Sequence, residues 1–136
     1  MHSPVKILAS SEEELGILSA CLQDALISLN NASFDIKNKK FFFLANRYQW
    51  EKSTSKKGLR TLTVVAFENI EKVETANINF KEKPAQNLSL LNIEQDKNHL
   101  LLNFAGGIKI RLHTNQLKIK LRDEGVPWPA KAPKHI

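Results

Sequence analysis

The sequence predicts an α+β fold: a predominantly antiparallel sheet, one N-terminal helix packed on it, and a four-stranded meander toward the C-terminus. Three observations predict it. An apolar stripe at helical spacing occurs at Leu15, Leu18 and Leu22, the mark of an amphipathic helix. Elsewhere apolar residues recur at spacing two, the period of a strand. Residues 88–122 thread as a meander with nearly every apolar side chain on one face, the pattern of a sheet with one side on a core and the other in water.

The elements follow in order. Val5-Lys6-Ile7-Leu8 reads as a short first strand. Ser11 to Glu14 has the form of a capping box, in which hydroxyl and carboxylate satisfy free amides at a helix start, and its three glutamates suit the positive end of the helix dipole. The helix is placed at about residues 12–23, with Ile17 and Cys21 beside its leucine stripe. Residues 25–30 and 34–36 read as extended, 37–40 as a turn, and 41–50 as a strand dense in aromatic residues. Residues 52–58 form a polar, basic loop. Residues 59–67 and 70–78 read as two strands, or as one strand bent by a bulge near Glu68-Asn69. A loop at 81–87 leads into the meander. Residues 1–124 are read as one domain, and 125–136 as a Pro-rich basic tail extended along the surface.

Register decides the meander. In HLLLNFAGGIKIRL a two-residue Gly-Gly loop would mix apolar and charged side chains on one face. A three-residue loop, Ala105-Gly106-Gly107, pairs Phe104 with Ile108, Leu102 with Ile110 and Leu100 with Leu112, with Gly107 left-handed. A slip of one residue moves every side chain to the other face, so the second register is the one that can be buried. A turn over residues 95–98 then pairs Ile93 with Leu100 and Leu91 with Leu102, placing Ser89 inward. A turn at Thr114-Asn115 pairs Leu112 with Leu117, Ile110 with Ile119 and Ile108 with Leu121.

The 136 residues suffice for one domain with a real core, and 42% hydrophobic with 25% charged residues is an ordinary globular composition. The longest apolar runs are too short to span a bilayer. The N-terminal sequence does not read as a signal peptide. Cys21 is the only cysteine, which excludes an intramolecular disulfide and favours the cytoplasm. The net charge of +6 is uneven: residues 37–60 sum to +7 and 109–136 to +5, against −4 for 1–36 and −2 for 61–108. Basic clusters attract nucleic acid, anionic lipid or acidic proteins; a lysine bias arising from adenine-rich codons would look the same.

The runs LSACLQDA, NRYQWE, GLR, LSLL, FAGGIKIRL and the Trp128-Pro129 pair occur in this order along nearly the whole chain. Together they resemble a small bacterial family known as domain of unknown function 2948. The resemblance implies a short cytoplasmic bacterial protein and brings no activity or site residue with it.

Three constellations are candidates for chemistry. In the expected register Arg111 faces Lys118 and Lys109 faces Lys120, with Arg122 extending the patch. Opposed like charges destabilise a sheet, and a bound anion would relieve them; a solvated lysine face is the plainer reading. That face holds no aromatic residue, which speaks against nucleic acid. His99 and His113 fall opposite one another with Glu94 in the same row, a weak metal set, but the surrounding cations oppose a metal and none is expected. Gln23 and Asp24 close the helix while Arg47 and Trp50 lie on the aromatic strand. An Asp24–Arg47 pair beside an indole would suit a ligand pocket between helix and sheet, or would be a structural ion pair. No catalytic motif occurs and no cofactor is implied. The sequence therefore points to a non-enzymatic binding or adaptor module for a protein or other anionic partner, with a small enzyme or ligand-binding protein at the helix–sheet pocket as the alternative. Catalytic residues and oligomeric state are not legible.

Overall fold

The computed structural model describes residues 5–52, 58–77 and 87–130. Among the described residues nine strands form one antiparallel sheet: β1 (Lys6–Ala9), β2 (Leu26–Asp35), β3 (Lys40–Tyr48), β4 (Gly58–Phe67), β5 (Lys72–Ala76), β6 (Asn87–Asp96), β7 (His99–Phe104), β8 (Lys109–His113) and β9 (Ile119–Ala130). Their order is β1-β9-β4-β3-β2-β6-β7-β8-β5, so β1 and β5 are its open edges. The one α-helix among the described residues, α1 (Glu12–Cys21), follows β1.

One buried cluster draws on both ends of the sheet. Phe41, Phe43, Val65, Phe67, Ile119 and Leu121 from β3, β4 and β9 meet Ile93, Leu100, Leu102, Phe104, Ile110 and Leu112 from β6, β7 and β8. Strands so far apart in order share a core because the sheet curls. The curl is eased by irregularities in the pairing of β2 with β3 between Ile27 and Ala32, and of β6 with β7 between Leu90 and Asn92, since a bulge bends its strand and deepens the twist. Helix α1 lays Leu15 and Leu18 into the same core, with Leu22 at its end.

The helix start matches its sequence. The Ser11 hydroxyl accepts from the Glu14 N–H at 3.2 Å, and the Glu14 carboxylate reaches back to the Ser10 N–H at 3.1 Å, one residue further than a standard box. That backbone bond and the two serine hydroxyls lower the Glu14 pKa. The helix ends two residues earlier than expected, because Asp24 turns left-handed at φ 64°. Ile17 is exposed rather than part of the stripe. The Ser19 hydroxyl accepts from the Ile93 N–H at 2.9 Å and ties the helix to β6 just past its bulge.

The β7–β8 hairpin has the expected register: Leu100 pairs with Leu112 and Leu102 with Ile110, and the Phe104 N–H donates to the Ile108 carbonyl at 2.9 Å. Both Gly106 (φ 84°) and Gly107 (φ 77°) are left-handed. The rest of the meander differs. The β6–β7 turn is a two-residue Lys97-Asn98 loop, with Lys97 at φ 49°, so Ile93 pairs with Leu102 and not Leu100. The bulge then turns Leu88 and Leu90 inward and leaves Leu91 exposed, the reverse of the expected placement of Ser89, Leu90 and Leu91. The fourth strand does not stay with the meander. β8 pairs with β5, Val73 opposite Leu112 and Thr75 opposite Ile110, while β9 crosses to lie between β1 and β4. The Leu112–Leu117, Ile110–Ile119 and Ile108–Leu121 pairs do not form. At the departure Thr114 is held by its N–H to the Asn98 carbonyl (2.9 Å), and its hydroxyl accepts from the Gln116 N–H (3.2 Å), a local turn that sends the chain away from β8. Residues 125–130, expected as tail, continue β9 and pair with β4 as far as Ala130 opposite Gly58. Residues 53–57 of the expected basic loop, residue 78 of the expected 70–78 strand, residues 81–86 of the expected loop at 81–87, and residues 131–136 lie outside the described residues.

Candidate binding surface

Alternation sends Leu62, Val64 and Ala66 of β4 to the outer face while Thr61, Thr63, Val65 and Phe67 are buried. That strand is apolar on both sides. Its neighbours continue the outer pattern in register: Leu8, Lys120, Ala66 and Phe42 form one row, and Lys6, Arg122, Val64 and Leu44 the next. Leu8 is 52% exposed and Phe42 39%. A groove of about 480 Å³ runs over β1, β9 and β4, lined by aliphatic surface together with Lys6, Lys120 and Arg122. Exposed apolar surface rimmed by charge is a signature of interaction sites.

Glu68 sits at one end of this face, with Lys118 at 3.2 Å and Lys120 and Lys40 each at 3.6 Å. Burial alone would raise its pKa, but the Lys118 bond and the three lysine charges outweigh that and lower it. Arg122 is paired with Glu124. Among the described residues, every ionisable residue that lines the groove is nevertheless a cation.

The five basic residues singled out from the sequence are divided between two places. Lys118, Lys120 and Arg122 belong to this face; Lys109 and Arg111 lie on β8, with five strands between β9 and β8 in the sheet order. The expected like-charge oppositions are absent. Arg111 stands between Leu101 and Glu74, and Lys109 between Asn103 and Ala76. The cause is the relocation of β9, which keeps the faces of its residues but changes their neighbours.

His99 and His113 are cross-strand partners, their rings edge to face with centroids 4.4 Å apart. The carboxylate bonded to His113 is Glu74 of β5, whose pKa is lowered first by that bond. Glu94 instead stands opposite Leu101. Among the described residues no group of three or more His, Cys, Asp or Glu side chains is arranged to hold a metal ion.

Gln23, Asp24, Arg47 and Trp50 gather where the helix ends, but Arg47 does not pair with Asp24. Its Nε and Nη2 donate to Asp123 at 3.0 and 2.7 Å, and its Nη1 and Nη2 to Glu51 at 2.9 and 2.8 Å. The Thr63 hydroxyl (2.8 Å) and Val5 N–H (3.2 Å) also donate to Asp123. Burial works against charge on Arg47, yet the two carboxylates raise its pKa. Burial likewise works against Asp123, and the bonds from Arg47 and Thr63 lower its pKa below the usual 3.8. Around this pair, the Trp50 indole donates to the Gln23 carbonyl at 3.0 Å, and Arg60 donates to the carbonyls of Asn46 (2.7 Å) and Asp24 (3.2 Å) while lying over the Tyr48 ring. These bonds latch the helix end to β3 and β4. Cys21 is half-buried, and burial pushes its thiol pKa up, away from a reactive thiolate.

Sequence reasoning passed over Asp123, Lys6, Leu8, Val64 and Ala66. Two signals were there. Asp123 continues the buried phase of Ile119 and Leu121, as Arg47 continues that of Phe41, Phe43 and Ala45, so both are charges set among core positions. The unbroken apolar run Val64-Val65-Ala66-Phe67 marks a strand that is apolar on both faces.

The fold and surface define a small α+β protein with a curled, open antiparallel sheet and an apolar, cation-rimmed outer groove. Among the described residues no helix is long and apolar enough to cross a membrane. The chain belongs to the family described as protein of unknown function DUF2948, which matches residues 5–135. Comparison with curated proteins and with solved structures finds no match.

Proposed function

We propose that this protein is a non-enzymatic binding module of the bacterial cytoplasm, and that the outer face of β1, β9, β4 and β3 takes an acidic, partly apolar segment of a protein partner. The observation that carries the reading is the groove itself: aliphatic walls from β1, β9 and β4, with Lys6, Lys120 and Arg122 as its charged lining. An anionic side chain meets these cations while an apolar one covers Leu8, Val64 and Ala66, a combination that gives register and on-rate as well as burial. Phosphate backbones would use the cations but leave the aliphatic wall wet. A uniformly cationic lining suits holding an anion better than moving a proton at neutral pH.

The test is selection of peptides from a displayed library at low salt, with an oligonucleotide and anionic vesicles as competitors. Selected peptides should combine Asp or Glu with apolar residues and should be released by added salt. Charge reversal at Lys118, Lys120 and Arg122 should abolish capture, whereas reversal at Lys109 and Arg111 should leave it unchanged. Undiminished capture by the β9 variant refutes the reading, and preferential retention on vesicles would transfer the face to a membrane surface.

A further inference from the structure

We infer that the acidic–apolar segment binds by adding to β1 as a tenth, antiparallel strand. The inference rests on the binding face proposed above and specifies how that face is used.

β1 is a terminal strand, and its ladder partner is β9. The Asp123 N–H donates to the Val5 carbonyl at 2.9 Å, which sets the phase of the ladder. In an antiparallel pair alternate residues exchange both backbone bonds with their partner. Val5, Ile7 and Ala9 therefore spend theirs on β9, and the N–H and C=O groups of Lys6 and Leu8 point to the open edge. Among the described residues no backbone bond closes that edge. Such a row of free groups is a template for another strand.

The same two residues carry the side chains that wall the groove, Lys6 and Leu8. Backbone template and groove therefore coincide. A residue of the incoming strand that bonds to Lys6 or Leu8 lies in a hydrogen-bonded pair with it and shares its face, so its side chain projects over the groove. Opposite Lys6, with Arg122 next in the row, an acidic side chain is favoured; opposite Leu8 an apolar one is tolerated.

The other open edge differs in charge: the smaller pocket beside β5 is lined by Glu74 as well as by Lys109 and Arg111. β5 presents Lys72 and Glu74 outward, 3.9 Å apart as an ion pair, with Glu74 also bonded to His113. Charge likewise argues against a second copy of this chain on β1. Pairing two β1 edges would join two outer faces that each carry Lys6, Lys120 and Arg122, with no groove-lining carboxylate among the described residues to offset them.

The experiment uses the full chain and the capped heptapeptide Thr-Glu-Thr-Val-Thr-Glu-Thr, whose glutamates and valine share one face, with a lysine–valine peptide, lysine for glutamate, as control. Binding is followed by fluorescence anisotropy at low salt. Two further peptides carry N-methyl groups either on the glutamates and valine or on the threonines between them, removing backbone donors from one edge while keeping every side chain. With glutamates and valine over the groove, their methylation should weaken binding by about tenfold or more, and methylation of the intervening threonines should change it less than about twofold. Equal binding by the two methylated peptides would overturn strand addition while leaving the groove as the binding face. A glutamate–valine peptide that binds no better than the lysine–valine control would overturn the binding face as well. A concentration-dependent dimer dissociated by the glutamate–valine peptide would assign the edge to a second copy and overturn the inference.

Discussion

Asp123→Asn should destabilise the protein by about 3 kcal/mol, more than most single substitutions. Arg47 is 0% exposed and the Asp123 side chain 2%, so the substitution leaves a guanidinium in the interior with part of its counter-charge gone. Removing one partner of a buried pair costs about 3–5 kcal/mol, because the other charge stays desolvated. Glu51 keeps its two bonds to Arg47 but is 40% exposed, which puts the expectation at the low end. The new amide also turns a donor toward groups that are themselves donors, Arg47, Thr63 and the Val5 N–H.

Urea unfolding followed by tryptophan fluorescence at neutral pH measures the loss, and acid titration adds a second reading. The folded pKa of Asp123 lies below its usual 3.8. Its contribution is therefore complete above about 3.8 and is lost as the pH falls through the lower, folded value. The Asn variant should lack that part of the acid dependence. Replacing the pair together, Arg47→Met with Asp123→Leu, should cost far less than Asp123→Asn alone, since exchanging a buried ion pair for apolar residues is often neutral or stabilising. A stability loss under about 0.5 kcal/mol for Asp123→Asn would refute the reasoning, for it would show that Arg47 reaches water or another acid without cost.

Three further outcomes can be read in the same unfolding experiments. Gly58→Ala should cost about 1–3 kcal/mol, because a Cβ there meets the Tyr48 hydroxyl at 2.5 Å and the Ala130 carbonyl at 2.6 Å. Gly107→Val should cost about 1–3 kcal/mol through backbone strain at φ 77°; the space around it is open, so a neutral result would mean that the loop rearranges. Ile110→Ala should cost about 2–5 kcal/mol through lost burial and a cavity, whereas Lys109→Thr on the wet face should stay within about 0.5 kcal/mol. Wild-type stability in Ile110→Ala would mean that the hairpin faces are inverted.

The faces of the strands were legible in the sequence, and their neighbours were not. Leu100, Leu102, Phe104, Ile110, Leu112, Ile119 and Leu121 are buried as alternation requires. Alternation is blind to any change that conserves parity. The two-residue shift of β6 against β7 keeps Ile93 inside, and β9 buries the same side chains beside β4 as it would beside β8. The β6 bulge was illegible for the opposite reason. It changes parity in mid-strand, so Leu90 and Leu91 exchange faces with no local pattern to announce it. The candidate site is the least legible part, because its character depends on cross-strand neighbours that alternation does not specify. Lys118, Lys120 and Arg122 kept their outward face, but the surface that gives them meaning, Val64, Ala66 and Leu8, belongs to strands distant in sequence.

The buried charges account for the choice that alternation left open. Arg47 lies on β3 in phase with Phe43 and Ala45, and a charge at that depth requires an acid. Asp123 reaches it across β4, where Asp123 is opposite Thr63 and Arg47 is opposite Thr61. With β9 beside β8, as its apolar pattern equally allows, Asp123 would stand far from Arg47 and both charges would be buried without their partner, a penalty of several kcal/mol that the present order avoids. The same strand carries Lys120 and Arg122 on its other face. Fixing β9 beside β4 through Asp123 therefore also sets those cations over the aliphatic surface of Val64 and Ala66 and next to the open edge of β1. The outer groove is a consequence of the inner ion pair, which is why a substitution inside the sheet should disturb binding on the outside even where the fold survives it.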